Sequence, residues 1–477
     1  MDHLTQSKNA GMTHFRWVIC ALLFTATTIN YLDRMVLSLT WSEFIAPEFH
    51  WNDNHYGTIS ACFSIFYAIS MLFAGRFVDW IDLKKGFLWA IGIWSVGAIM
   101  HASGSIITGW WVGLPDKQAL INETNVSVIG QIIMVSVTFF IFSRFVLALG
   151  EAAHFPAVIK ATAEFFPKKD RAYAQSIANA GTCVGALVAP VSIPVIAYYW
   201  GWEMAYIIIG LLGFVWMGFW IFLYHKPDVH PKINKAELAY IQQDMYNEKP
   251  DSARKITFGE AFRYKQTWAF AVGRFMTDGV WWFLLYWAPH YLDTNFGLKT
   301  SDPQTMIALC VLWTITIFSI YGGYLSSLFI KKGMNPYASR MRAMLIFAFV
   351  PLLILLVQPM GAYYNSYWLP IIIIGIVGAA HQSWMANLFT TVSDMCPKSV
   401  VATVAGIGGM AGGIGAFLVN KGSGMLFVHA EATNMTYMGF EGKPAGYFVI
   451  FTICAFAYIV GWLIMKSLVP KYKTIEI

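Results

Sequence analysis

Three ionisable residues, Arg144, Glu151 and His154, lie close together in the stretch FSRFVLALGEAAHFPAVIK, residues 142–160, which is otherwise largely apolar up to its final Lys160. Arg144 and Glu151 are nearly two helical turns apart, so on a helix they project from one face, roughly 10 Å apart along the axis. His154 lies one turn beyond Glu151 on a neighbouring face. An ionisable group at the centre of a bilayer costs at least about 2.5–3.5 kcal/mol on insertion scales. A span that keeps several such groups needs a polar interior for them to face, and that interior is usually a path for ions or solutes.

Asp33 and Arg34 occupy the middle of another apolar stretch. A locally neutralised structural pair is one reading. In the functional one, the planar fork of Arg34 takes a carboxylate. Asp33 and Glu151 are then candidate proton carriers, a role that intramembrane acids often fill. Arg144 and Glu151 form either a packing salt bridge or a gating pair that breaks when Glu151 takes a proton. A buried pair is weak evidence for stability, because desolvation can exceed the attraction.

Arg274 and Asp278 are four residues apart, an i,i+4 pair that is structural or cavity-facing. The aromatic residues Trp281, Trp282 and Tyr286 follow, while Tyr31 and Tyr67 stand on other spans. They are packing residues, or a wall for the CH face of a sugar ring beside polar donors. His381, Gln382, Ser383 and Asn387 form a polar run suited to interhelical hydrogen bonds or to recognition of hydroxyl groups.

These groups need a membrane scaffold. Of the 477 residues, 57% are hydrophobic, 17% aromatic and only 12% charged. About 25% charge is usual for a soluble domain, so a globular enzyme is excluded. Apolar runs at 16–41, 56–80, 86–104, 129–155, 172–199, 202–224, 267–292, 304–330, 341–358, 366–394, 400–428 and 445–467 predict twelve spans, each helical because backbone groups cannot go unpaired in lipid. The first reads as an uncleaved helix. Of the 32 Lys and Arg residues, 24 fall on the termini and alternate loops, three on the opposite loops and five within or beside spans. That asymmetry puts both termini in the cytoplasm and explains the net charge of +6 without a nucleic-acid partner. The six cysteines are scattered singly, which predicts neither disulfides nor a metal site.

The basic, polar segment 226–265 separates two groups of six spans. Asn234 and Glu237 within it form an N-cap pattern that opens a short helix, AELAYIQQDMY. Gly75 and Lys84-Lys85-Gly86 in the first group match Gly322 and Lys331-Lys332-Gly333 in the second, as expected of parallel repeats with a substrate site between them. The expected divisions are a bundle at 1–225, a cytoplasmic linker at 226–265 and a bundle at 266–477.

The stretch Gly75-Arg-Phe-Val-Asp79-Trp-Ile-Asp82-Leu-Lys84-Lys85 resembles the cytoplasmic loop signature of the major facilitator superfamily. Trp80 replaces the usual basic residue and Asp82 the usual glycine. Asn30-Tyr31-Leu32-Asp33-Arg34 together with Arg144 and Glu151 resembles its anion:cation symporter branch. Phe165-Phe166-Pro167 through Arg171, Gly201 through Tyr206, and Ala380-His381-Gln382 with Ser393-Asp394 resemble the bacterial hexuronate transporters. Loop 105–128 is longer than this resemblance leads one to expect. The resemblance implies an all-α fold of twelve transmembrane helices in two six-helix bundles, working by alternating access in the bacterial cytoplasmic membrane. The expected cargo is a sugar-acid anion, a hexuronate or else an aldonate such as galactonate, moved with a proton. Glu151 and Asp33 would couple the proton, and Arg144 and Asp79 would form salt-bridge or gating contacts. Arg34, Tyr31, Tyr67, Arg274, Trp282, His381, Gln382 and Asn387 would bind substrate. No cofactor, catalytic residue or metal is expected, and the chain is expected to act as a monomer among membrane lipids. The rival classes are a polytopic membrane enzyme, which would want paired acidic motifs such as DDxxD, and a sensor, which would want long cytoplasmic extensions.

Overall fold

Six long helices precede the linker: α1 (Arg16–Thr40), α2 (Asp53–Ile81), α3 (Leu83–His101), α4 (Val126–Glu151), α5 (Lys168–Trp200) and α6 (Trp202–Leu223). Six follow it: α7 (Lys265–Phe296), α8 (Pro303–Thr316), α9 (Pro336–Phe349), α10 (Trp368–Met395), α11 (Lys398–Ala432) and α12 (Lys443–Leu468). The architecture comes from a computed structural model that describes residues 12–243, 257–396 and 398–475. The side chains at 75, 76, 79, 168, 169, 172, 320–323, 393, 398, 399 and 402 are outside that description, Asp79 among them.

Among the described residues, ten helical stretches are long and apolar enough to cross a membrane. The two long helices outside that set are α1 and α7. They hold Asp33 and Arg34, and Arg274 and Asp278, so the first helix of each group is the one diluted by charge. The outer face of α6 shows how the rest meet lipid: Leu211, Leu212, Phe214, Val215, Phe219 and Phe222 are all exposed. The chain is a multi-pass membrane protein.

Three long helices are not simple rods. The predicted span 129–155 breaks after Glu151 and resumes at His154–Phe165. α8 tightens to a 3₁₀ turn at Ile317–Tyr321 before continuing to Lys331, and α9 does so at Val350–Leu356 before continuing to Tyr364. In α9 the cause is Pro351, which has no N–H to donate to the preceding turn.

The long loop after α3 folds into two short helices, Gly104–Val112 and Lys117–Ile121. It is pinned by Glu48, which accepts from Trp202 Nε1 at 2.7 Å, meets Lys117 Nζ at 3.0 Å and bonds the Ser105 hydroxyl. Burial pushes the Glu48 carboxyl above its usual range even with Lys117 beside it. Between α11 and α12 the chain forms a hairpin that the sequence reading does not contain, Thr436–Tyr437 against Phe440–Glu441, turned by Met438 and Gly439 at positive φ.

The linker helix forms as Lys235–Gln242, with Asn234 Oδ1 accepting from the Glu237 N–H at 2.9 Å; residues 244–246 of the expected helix lie outside the description. The Glu237 carboxylate does not complete a capping box. It accepts instead from the backbone N–H groups of Phe15 at 2.9 Å and Arg16 at 3.0 Å, from Arg16 Nη1 at 3.0 Å and from Thr13 Oγ1 at 2.6 Å. Burial alone would raise its pKa. Those donors outweigh it and hold the carboxyl below its usual range. Tyr240 adds a bond to Asp170 Oδ2 at 2.7 Å, so the linker helix fastens the start of α1 to the start of α5.

Close packing relies on glycine where helices approach. A Cβ on Gly181 would stand 2.4 Å from Phe24 O, and one on Gly185 would stand 2.7 Å from Thr28 O, so α5 lies directly against α1.

Candidate functional site

The site is built on α1. Arg34 projects from its middle and its Nε donates to Glu151 Oε2 at 2.7 Å, with both side chains buried. The guanidinium lies 4.6 Å from the ring centre of Tyr67 on α2, 5.4 Å from Trp282 on α7 and 5.5 Å from Tyr31 on its own helix. Three aromatic faces around one desolvated guanidinium make a cation–π cage. Because Trp282 belongs to the second group of helices, the cage closes across the junction between the groups.

Several polar atoms around this pair have no hydrogen-bond partner. They are Arg34 Nη2, Glu151 Oε1, both carboxyl oxygens of Asp33, and Nε and Nη1 of Arg144. Buried polar atoms are normally satisfied, and six of the unsatisfied ones gather around this one ion pair. Arg144 rests over the Phe63 ring at 5.2 Å and stays in electrostatic contact with Asp33 and Glu151. The expected Arg144–Glu151 salt bridge is therefore not formed: Glu151 takes Arg34 from the neighbouring helix. The helical break at Ala152-Ala153 ends α4 at Glu151, and a contact from α1 is inaccessible to reasoning about spacing within α4. His154 sits beyond that break, buried against Phe87 and Trp94, with its Nε2 3.0 Å from Thr27 Oγ1.

The remaining candidates form a second group. Arg274 binds Asp278 Oδ2 through Nε at 2.8 Å and lies over Phe389 at 5.0 Å. It is eight residues, about 12 Å along α7, from Trp282 and the cage. His381 stacks on Trp281 at 5.1 Å and bonds Tyr458 Oη through Nδ1 at 2.8 Å. Asn387 Nδ2 donates to Ser383 O of its own helix at 2.8 Å, and Gln382 is half-buried on α10. Asp79 lies outside the described side chains.

The sequence reading missed a polar seam between the two groups of helices, at the end of the molecule away from the linker. Asp53 opens α2 beside its N-cap Asn52, where the helix dipole favours a negative charge. Its carboxylate takes His290 Nε2 at 3.0 Å and Lys443 Nζ at 3.0 Å, both from the second group. Lys421 Nζ reaches Asn54 and Thr58 at 2.7 Å each, and Glu43 accepts from Thr300 Oγ1 at 2.8 Å and from the Ser301 N–H at 2.9 Å. Trp41 stacks on Tyr56 with ring centres 4.2 Å apart, and Tyr56 Oη donates to Tyr286 O at 2.8 Å. The seam closes that end. The residues that pair with Asp53, Lys421 and Glu43 lie more than 200 residues away, beyond any spacing rule.

The sequence profile of the Major Facilitator Superfamily matches residues 23–420. The hexuronate transporter of Escherichia coli (strain K12) is 26% identical over 466 residues, covering 97% of this chain and 96% of that protein. The probable galactarate/D-glucarate transporter GarP of the same strain is 24% identical over 477 residues, covering 97% and 98%. Among solved structures, a bacterial homolog of the human lysosomal transporter Spinster, inward-facing and occupied, superposes with a TM-score of 0.67 at 15% identity, covering 97% of this chain and 99% of that one. The D-xylose-proton symporter gives a TM-score of 0.67 at 16% identity, covering 96% and 99%.

Proposed function

The chain belongs to the Major Facilitator Superfamily, and from that premise we propose that it carries a sugar-acid anion across the membrane together with a proton. It is a transport protein, not an enzyme. The substrate we infer is a hexuronate such as glucuronate or galacturonate, supported by the resemblance over nearly the whole chain to the hexuronate transporter.

The observation that carries this reading is the Arg34–Glu151 pair, closed at 2.7 Å while its outer atoms stay unbonded. A substrate carboxylate competes with Glu151 for the Arg34 fork, and Arg144 supplies further N–H groups. A proton on Glu151 cancels its claim on Arg34, so proton and anion favour each other's binding. Asp33, with both oxygens free of partners, is the second proton site. Tyr31, Tyr67 and Trp282 face the sugar ring, and the polar group of α10 serves its hydroxyls. The bundles 1–225 and 266–477, joined by the linker 226–265, rock about this point, with the linker end in the cytoplasm of a bacterium. One chain supplies the whole site, so a monomer suffices.

A second reading is a sugar diacid or an aldonate. The two arginines offer N–H groups enough for a second carboxylate, and GarP is a relative on that side. A competition panel of hexuronates, aldonates and aldarates against labelled glucuronate in proteoliposomes separates these. Glu151→Gln is expected to keep counterflow exchange and lose accumulation driven by a pH gradient. Absence of uptake of every sugar acid by intact wild-type protein overturns the proposal.

A further inference from the structure

Tyr286 lies on α7 one turn beyond Trp282, their ring centres 5.3 Å apart. It is 3% exposed, and its hydroxyl has no hydrogen-bond partner. The phenol lies within electrostatic range of Arg144, Arg34, Glu151 and Tyr31 and beside Trp282 of the cage, so it faces from the second group of helices towards the charged cluster of the first. A buried phenol that both donates and accepts, left unbonded among two guanidinium groups, is poor structural economy. Packing alone would be served as well by phenylalanine.

The same residue is fixed from the other side. Its backbone carbonyl accepts from Tyr56 Oη, and the next residue, Trp287, packs edge-on against Tyr56 at 4.9 Å and against Trp41 at 6.2 Å. One turn further, His290 holds Asp53. A single stretch of α7 thus runs from the arginine cage through Tyr286 into the closed seam.

We propose that Tyr286 is a substrate-contacting residue whose hydroxyl bonds the carboxylate or a ring hydroxyl of the sugar acid opposite Arg34 and Arg144, so that cargo bound at the cage also grips the helix that forms the seam. This rests on the sugar-acid reading and adds a specificity-determining group to it. Tyr286→Phe keeps the ring and the backbone bond to Tyr56, so the fold is preserved.

The test is uptake into proteoliposomes by wild type and Tyr286→Phe, using glucuronate and a series of its monodeoxy analogues. Loss of one hydrogen bond should raise KM about twofold to tenfold if the partner is a hydroxyl and about tenfold to a hundredfold if it is the ionised carboxylate. If Tyr286 meets a hydroxyl, the wild type should show that penalty for one analogue, and Tyr286→Phe should not distinguish that analogue from glucuronate. If it meets the carboxylate, Tyr286→Phe should raise KM for every member equally. Unchanged KM and unchanged discrimination in Tyr286→Phe, with an active wild type, overturn the assignment alone. A wild type inactive with every sugar acid overturns it together with the reading beneath it.

Discussion

Arg34 on α1 and Glu151 at the end of α4 meet at 2.7 Å with both side chains buried, and each keeps one polar atom that nothing else in the described protein satisfies. Breaking such a pair by removing one partner leaves an uncompensated buried charge, at about 3–5 kcal/mol. Arg34→Ala should therefore lower thermal stability sharply, and adding Glu151→Gln should restore much of the loss. A double-mutant cycle by thermal unfolding in detergent measures this. Simple additivity of the two substitutions would show that they do not interact.

Asp53 joins the two groups of helices through His290 and Lys443. Asp53→Asn weakens both contacts and should open that end more often. A single cysteine placed by Ser60→Cys, at a buried position one turn of α2 inward from Tyr56, in a background lacking the six native ones, should react several-fold faster with a membrane-impermeant maleimide once Asp53 is replaced. Equal rates would place the closing energy elsewhere in the seam.

Asp82 sits between α2 and α3 at φ 83° and ψ 145°. That conformation is nearly restricted to glycine, and a side chain there costs on the order of 1–3 kcal/mol. Asp82 does hold an ion pair with Lys226 at 3.2 Å, but both side chains are about half exposed and such pairs contribute little. Asp82→Gly is expected to raise the melting temperature by a few degrees. A fall would mean that the ion pair outweighs the backbone strain.

Glu237 has a depressed pKa in the folded protein because Thr13, Phe15 and Arg16 donate to its carboxylate. Its contribution to stability is fully present above the unfolded value of about 4.3 and fades as pH falls through the lower folded value. Glu237→Gln should cost about 1–3 kcal/mol at neutral pH, and the gap to wild type should narrow below about pH 4. Thermal unfolding of both proteins across that range measures it. A gap independent of pH would assign the loss to shape and not to charge.

The amino-acid order determined a great deal by itself. Apolar length and the absence of water in the bilayer leave only helices, so the spans are legible, and so is Asn234 as the N-cap of the short helix Lys235–Gln242. So are the intramembrane ions Asp33, Arg34, Arg144 and Glu151 as candidates, because a charge inside an apolar run is costly and calls for a polar interior to face. Which of these ions meet is another matter. Spacing along α4 suggested Arg144 for Glu151, but a helix reports only neighbours on its own surface. The partner came from α1, 117 residues away. The cage of Tyr67 and Trp282 and the Asp53–His290–Lys443 seam are likewise contacts between distant helices. Helix packing decides them, because side-chain interactions fall off within a few ångströms in space and keep no record of distance in sequence.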